Sequence, residues 1–136
     1  MKQTQIDWQP LIEQAKQASE NAYAPYSKFH VGAAALNSDG EIFSGCNVEN
    51  ASYGLTMCAE RNCIAGAVNK KSAQLKTILI YTHQEQLTPP CGACRQVIAE
   101  FLSQDSLVAS SNHLNELKVW TVAELLPDAF TPDQLT

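Results

Sequence analysis

The sequence predicts an α/β fold of three layers, a mixed five-stranded sheet with helices on both faces, in a single domain over residues 1–136. Three observations predict it. Apolar runs of strand character near 29–48, 75–82 and 107–121 are separated by segments with the features of helices. The run "LKTILIYT" at 75–82 is apolar and β-rich, as a strand covered on both faces must be. A chain of 136 residues, 45% of them apolar, buries roughly two thirds of its unfolded surface in one core, and it shows no linker, repeat or low-complexity tract.

Each element has a local reason. In residues 7–22, Trp8, Leu11, Ile12, Ala15 and Ala18 recur at helical spacing behind Asp7, a good N-cap, and Pro25 in "YAPYSK" breaks the pattern. "FHVGAAAL" and "EIFSGCNV" flank the turn "NSDG" and read as a hairpin. "ENASYGLTM" is loop-like and leads to a helix starting near Cys58; after the strand at 75–82 and the loop "QEQLTPP", a second such helix runs from about Cys91 to Leu102. "LVAS" and "KVWT" read as short strands, and "TVAE" at 121–124 has the pattern of a capping box.

Composition narrows the partners. The net charge is -5 and the nine Lys and Arg are scattered, only Lys70 and Lys71 being adjacent, so the basic patch that tracks a phosphate backbone is missing and a nucleic-acid partner is disfavoured. No stretch approaches the roughly 20 apolar residues of a membrane span, and "MKQTQIDWQP" lacks the apolar centre of a signal peptide, so a cytoplasmic location is expected. Five cysteines in a reducing compartment point to metal binding or catalysis rather than disulfides.

Their spacing favours metal. Cys91 and Cys94 form a C-x-x-C pair, which can set both sulfurs about 2.3 Å from one zinc ion, although redox pairs share the pattern. Cys58 is the natural third ligand, because it also sits at a helix start, where the dipole and free N–H groups favour a thiolate. Three ligands leave a fourth position at which water can be ionised, and Glu60, two residues after Cys58, is placed to reach that water without being a ligand. Zinc with three thiolates carries a net charge of about -1; two helix starts supply about +0.5 each, and Arg61 supplies a full positive charge beside the cluster.

Cys-Ala-Glu at 58–60 followed downstream by Pro-Cys-x-x-Cys is the pattern of the zinc deaminases. The sequence closely resembles the small homotetrameric cytidine deaminases through "NAYAPYSKFHVGAAAL", "GCNVENASYGLTMCAERNCIAGAV", "TPPCGACRQVIAEF" and "AELLPDAF". The resemblance implies the cytidine deaminase-like fold, one Zn2+ per chain on Cys58, Cys91 and Cys94, and Glu60 as the proton-shuttling catalytic residue. It implies that Asn47 and Glu49 hold the nucleoside sugar, that Phe29 lines the pyrimidine pocket with Ala59 also contacting substrate, and that Ala51, Tyr53 and Phe130 reach a neighbouring subunit's site. The activity so implied is hydrolysis of cytidine and 2′-deoxycytidine to the uracil nucleosides and ammonia, in pyrimidine salvage. The sequence departs from the usual family wording at His30 and Cys63, and neither touches an assigned role.

Other readings compete. A deaminase of another cytosine nucleoside, such as blasticidin S, shares the metal motifs but lacks the "NVENASYG" pattern. A polynucleotide deaminase conflicts with the charge. A non-catalytic zinc-binding module would need a fourth ligand from Cys46, Cys63 or a histidine, none of which has ligand spacing. Cys46 and Cys63 read as small buried residues, and His30, His83 and His113 as isolated surface or packing residues.

Overall fold

A computed structural model describes residues 6–135. Residues 1–5, half of the segment in which no signal-peptide centre was found, lie outside the described residues, as does 136. The first helix, α1 (Trp8–Ser19), begins as expected, with the Asp7 carboxylate accepting from the Gln9 N–H. It ends three residues before the predicted limit of 22. The chain is drawn there into extended pairing with the segment after the hairpin: Tyr23 N–H donates to the Asn47 carbonyl at 3.0 Å and Glu49 N–H to the Tyr23 carbonyl at 2.8 Å.

The hairpin is β1 (Val31–Asn37) and β2 (Ile42–Cys46), antiparallel, with Gly40 at the turn in the left-handed region at φ 85°. A loop with a 3-10 turn at Tyr53–Leu55 leads to α2 (Ala59–Asn69). Then follow β3 (Leu75–Thr82), α3 (Gly92–Phe101), β4 (Leu107–Asn112), β5 (Leu117–Thr121) and the short α4 (Val122–Leu125). The capping box is present: Thr121 accepts from the Glu124 N–H, and the Glu124 carboxylate accepts from the Thr121 N–H.

The sheet has five strands in the order β2-β1-β3-β4-β5, with β3 and β4 parallel and the other neighbours antiparallel. The mixed sheet, the central place of the 75–82 strand and the three layers therefore match the expectation. Strand alternation divides the core. Ala34, Leu79, Tyr81 and Ala109 face Leu11 and Ala15 of α1, whereas Ala33, Ala35, Ile78, Ile80 and Val108 face Cys63 and Ile64 of α2, Ile98 of α3 and Leu125 of α4. Each fully buried Leu or Ile stabilises the fold by about 1.5–3 kcal/mol.

The small residues of β1 and β2 let the helices approach closely. A Cβ on Gly32 would lie 1.8 Å from the Ala15 carbonyl oxygen of α1, and one on Gly45 would lie 2.5 Å from the Cys63 nitrogen of α2. Close seating of α2 on the hairpin and its packing against α3 bring the N-termini of those two helices together, which is where the chemistry-bearing residues lie.

Candidate active site

Cys58 and Cys91 are the N-cap residues of α2 and α3, and Cys94 lies in the first turn of α3. Neither N-cap thiol makes a capping hydrogen bond, so both sulfurs are left for another partner. The Cys58 and Cys91 sulfurs are 3.8 Å apart, and all three Sγ atoms lie within 4.8 Å of one another. Two sulfurs about 2.3 Å from a zinc ion at a tetrahedral angle are about 3.8 Å apart, so the donor set and its spacing fit one Zn2+ per chain.

The electrostatics of the cluster favour a cation. A hydrogen bond with Cys94 holds Cys58 down to about 5, helped by Arg61, while the same hydrogen bond and burial push Cys94 up. The pair therefore favours a negative charge in this corner, and the thiol protons that remain are released as a metal binds. The Arg61 Nη2 stands 3.6 Å from Cys58 Sγ, and Arg61 Nε is buried without a partner, so the guanidinium is committed to this corner. Replacing Arg61 with alanine is expected to weaken zinc binding by about 10–100-fold, the usual range for a lost outer partner of a metal site. Arg61→Lys should restore only part, because an ammonium does not copy the planar fork. Competition against a chromogenic zinc chelator reads both, and unchanged affinity in Arg61→Ala contradicts the charge argument.

Glu60, in the first turn of α2, is 5% exposed, and burial, reinforced by the Cys58 thiolate, pushes its carboxyl up to about 7. It lines a cavity of about 310 Å³ together with Cys58 and Cys91, within the ordinary size range of small-ligand sites. Phe29, Asn47, Glu49 and Ala59 line the same cavity, so five of the residues expected to carry catalysis or substrate contact share one space with two of the sulfurs.

Alternation in "CNVEN" predicts Asn47 and Glu49 on one side of a strand end. The strand stops at Cys46, but both residues reach the cavity, because Val48 between them pairs with Tyr23 and with Met57 and keeps the backbone extended. The Asn47 amide accepts from the Val31 N–H at 3.0 Å and donates to the Phe29 carbonyl at 2.8 Å. The Glu49 carboxylate accepts from the N–H groups of Tyr26 and Ser27 and from the Ser27 hydroxyl, which holds it below the usual carboxylate range.

Ala51, Tyr53 and Phe130 do not line this cavity. Ala51 and Tyr53 are exposed on the 47–57 loop, Tyr53 edge-on to Tyr26. Phe130 is 58% exposed, its carbonyl accepting from Gln96 Nε2.

Several contributors escaped the sequence reading. Ser27, Thr56, Thr88 and Pro89 line the cavity, Ser27 from within the quoted "YSKF" and Pro89 from "TPPC". Arg95, next to Cys94, donates to the Pro90 carbonyl at 2.8 Å and to the Leu125 carbonyl at 3.0 Å, tying the turn before Cys91 to α4. Ser110 and Asn112 of β4 donate to the Thr88 and Glu85 carbonyls and pin the loop that carries Pro89. The histidines need a correction: His83 and His113 are not isolated but stack at 3.9 Å, 9° from parallel. Cys63 is buried as expected, its thiol donating to the Phe43 carbonyl and pushed up to about 12 by burial, whereas Cys46 is only half-buried.

Comparison with known proteins agrees with this geometry. Residues 6–110 match the cytidine and deoxycytidylate deaminase zinc-binding region. The chain is 46% identical over 130 residues to the cytidine deaminase of Halalkalibacterium halodurans, covering 96% of this chain and 98% of that one. It is 45% identical over 131 residues to that of Sporosarcina psychrophila, covering 96% of each. The 1.6 Å crystal structure of cytidine deaminase from Burkholderia pseudomallei has the same fold, with a TM-score of 0.88 and 44% identity over 92% of this chain and 100% of that one. With a sulfur triad of zinc spacing, a buried glutamate beside it and relatives matched along nearly their whole length, the chain belongs to the cytidine and deoxycytidylate deaminase zinc-binding family.

Proposed function

We propose that the protein hydrolyses cytidine and 2′-deoxycytidine to uridine and 2′-deoxyuridine with release of ammonia, a step of pyrimidine salvage. The observation that carries this is the buried carboxyl of Glu60 in one cavity with the sulfurs of Cys58 and Cys91. Cys58, Cys91 and Cys94 hold the zinc ion, which when bound supplies Lewis acidity that makes a water nucleophilic at neutral pH. The reaction exchanges the C4–N bond for a C4–O bond and involves no redox change, so the chain's task is to place the ring and move protons. Glu60 accepts a proton from the attacking water and gives it to N3, then takes the second proton from the new C4 hydroxyl and delivers it to the departing amine. Its near-neutral pKa suits both taking and giving.

Phe29 forms an apolar wall for the base, and Ala59 lines the cavity with a side chain that leaves room for the ring. Asn47 and Glu49 bind the sugar through its 3′-hydroxyl, so a substrate lacking that group leaves a polar pair unmatched, which is costly. The test is substrate comparison: ammonia release is expected from cytidine and 2′-deoxycytidine, and not from blasticidin S or single-stranded polycytidine. Preference for either of the latter would replace this assignment.

The protein acts as a cytoplasmic homotetramer with composite sites, with neither a nucleic-acid nor a membrane partner. Among the described residues, no helix is long and apolar enough to cross a membrane. Exposed apolar side chains of Tyr23, Tyr26, Val48, Tyr53 and Leu55 gather on the loops beside the cavity, and Phe130 stands exposed on the C-terminal segment, which supports coverage by neighbouring chains. A Glu60→Gln chain keeps Phe130, and a Phe130→Ala chain keeps Glu60. Co-refolding the two is expected to give activity at low cytidine above the mean of the separate variants. Activity no higher than that mean, with mixed oligomers confirmed by native mass spectrometry, would place Phe130 outside a neighbour's site.

A further inference from the structure

Ser27 spends its hydroxyl and its N–H on two residues of the cavity. Its hydroxyl accepts from the Phe29 N–H at 3.0 Å and donates to Glu49 Oε2, while its own N–H donates to Glu49 Oε1 at 3.1 Å. The Tyr26 N–H adds a further bond to Oε1 at 3.0 Å. Between Ser27 and Phe29, Lys28 is held in the left-handed region at φ 62°, a conformation disfavoured for a residue with a Cβ that persists where its neighbours fix it. The clamp across Lys28 is the Ser27 hydroxyl.

A carboxylate offers about four acceptor positions, and three of those on Glu49 are taken by this turn. One remains, and Glu49 lines the cavity with Phe29 and Ser27. The hydrogen bond from Ser27 is also the chief reason that Glu49 stays ionised to lower pH than an ordinary glutamate, so the remaining position is an anionic acceptor suited to one hydroxyl donor.

We propose that Ser27 is a positioning residue for sugar recognition: by fixing the Glu49 carboxylate against the turn that leads to Phe29, it aims the one open acceptor of Glu49 at a substrate hydroxyl. The proposal rests on Glu49 binding the sugar. It separates Ser27 from Glu60 and the sulfurs, since none of Ser27's hydrogen bonds goes to them and its loss leaves the reacting atoms attended.

Steady-state kinetics on cytidine and 3′-deoxycytidine with Ser27→Ala, Ser27→Thr and Glu49→Gln test it. In Ser27→Ala the KM for cytidine should rise about tenfold, the scale of a lost hydrogen bond to a charged group. Its kcat should stay within about twofold, the signature of lost binding rather than lost chemistry. The KM for 3′-deoxycytidine should hardly move, because that compound has no hydroxyl for Glu49 to receive. Ser27→Thr, which keeps the hydroxyl, should behave as the wild type does.

A KM for cytidine that rises selectively in Glu49→Gln but stays at the wild-type value in Ser27→Ala would overturn the role of Ser27 and leave sugar binding by Glu49 standing. A Glu49→Gln substitution that changes the KM of the two nucleosides by the same factor removes sugar binding by Glu49, and the proposal with it. Loss of kcat on both nucleosides in Ser27→Ala would make Ser27 a structural support of the loop, which also overturns the proposal.

Discussion

Glutamine in place of Glu60 is expected to leave zinc bound and to lower turnover of cytidine by about 10⁴-fold or more, since general acid–base assistance is worth about 10²–10⁴ per transfer and Glu60 serves several. The substitution keeps the side chain's shape in a position that is 5% exposed, so the cavity should keep its walls. What is removed is the capacity to take a proton and give it back. The metal should stay because Glu60 is not part of the sulfur cluster. Elemental analysis and single-turnover kinetics on the same preparation measure both halves. A variant that keeps roughly a tenth of wild-type turnover takes Glu60 out of the proton path.

The second large effect is on the metal. Cys91→Ala is expected to lower zinc affinity by more than about 10²-fold, beyond the range seen when only an outer partner of a metal site is lost, and to abolish ammonia release with it. Two features of Cys91 make the test clean. Its side chain makes no capping hydrogen bond, so alanine should not unravel the start of α3, and it is exposed, so no core contact is lost. Circular dichroism should therefore stay close to that of the zinc-free wild type. Full zinc occupancy in Cys91→Ala would contradict the ligand assignment.

Much of this was legible in the chain because the signals are local. Asp7, the 37–40 turn and the Thr121–Glu124 box act within a few residues, and each does in the structure what its sequence pattern predicts. The sulfurs and Glu60 were legible for a different reason: their chemistry is rare and their spacing constrains it. That both thiols belong at helix starts follows from the charge they must carry, and the structure makes Cys58 and Cys91 the two N-caps.

What escaped is tertiary. The stacking of His83 on His113 follows from the parallel register that pairs Thr82 with Asn112, which sets the next residues side by side although 30 positions separate them in the chain. The early end of α1 depends on pairing of Tyr23 with residues 47–49, and Ser27 acquires a function only because Glu49 returns beside it. Arg95 likewise has carbonyl partners on either side of it, in the turn at Pro90 and in α4, that only the folded chain brings within reach.

Zinc content and ammonia release from cytidine, measured on one purified sample during stepwise chelation and readdition of zinc, test the central claim most directly. One zinc per chain is expected, with activity that falls in proportion to the zinc removed and returns with the metal. Full activity in zinc-free protein, or full zinc occupancy without ammonia release from cytidine, would contradict it.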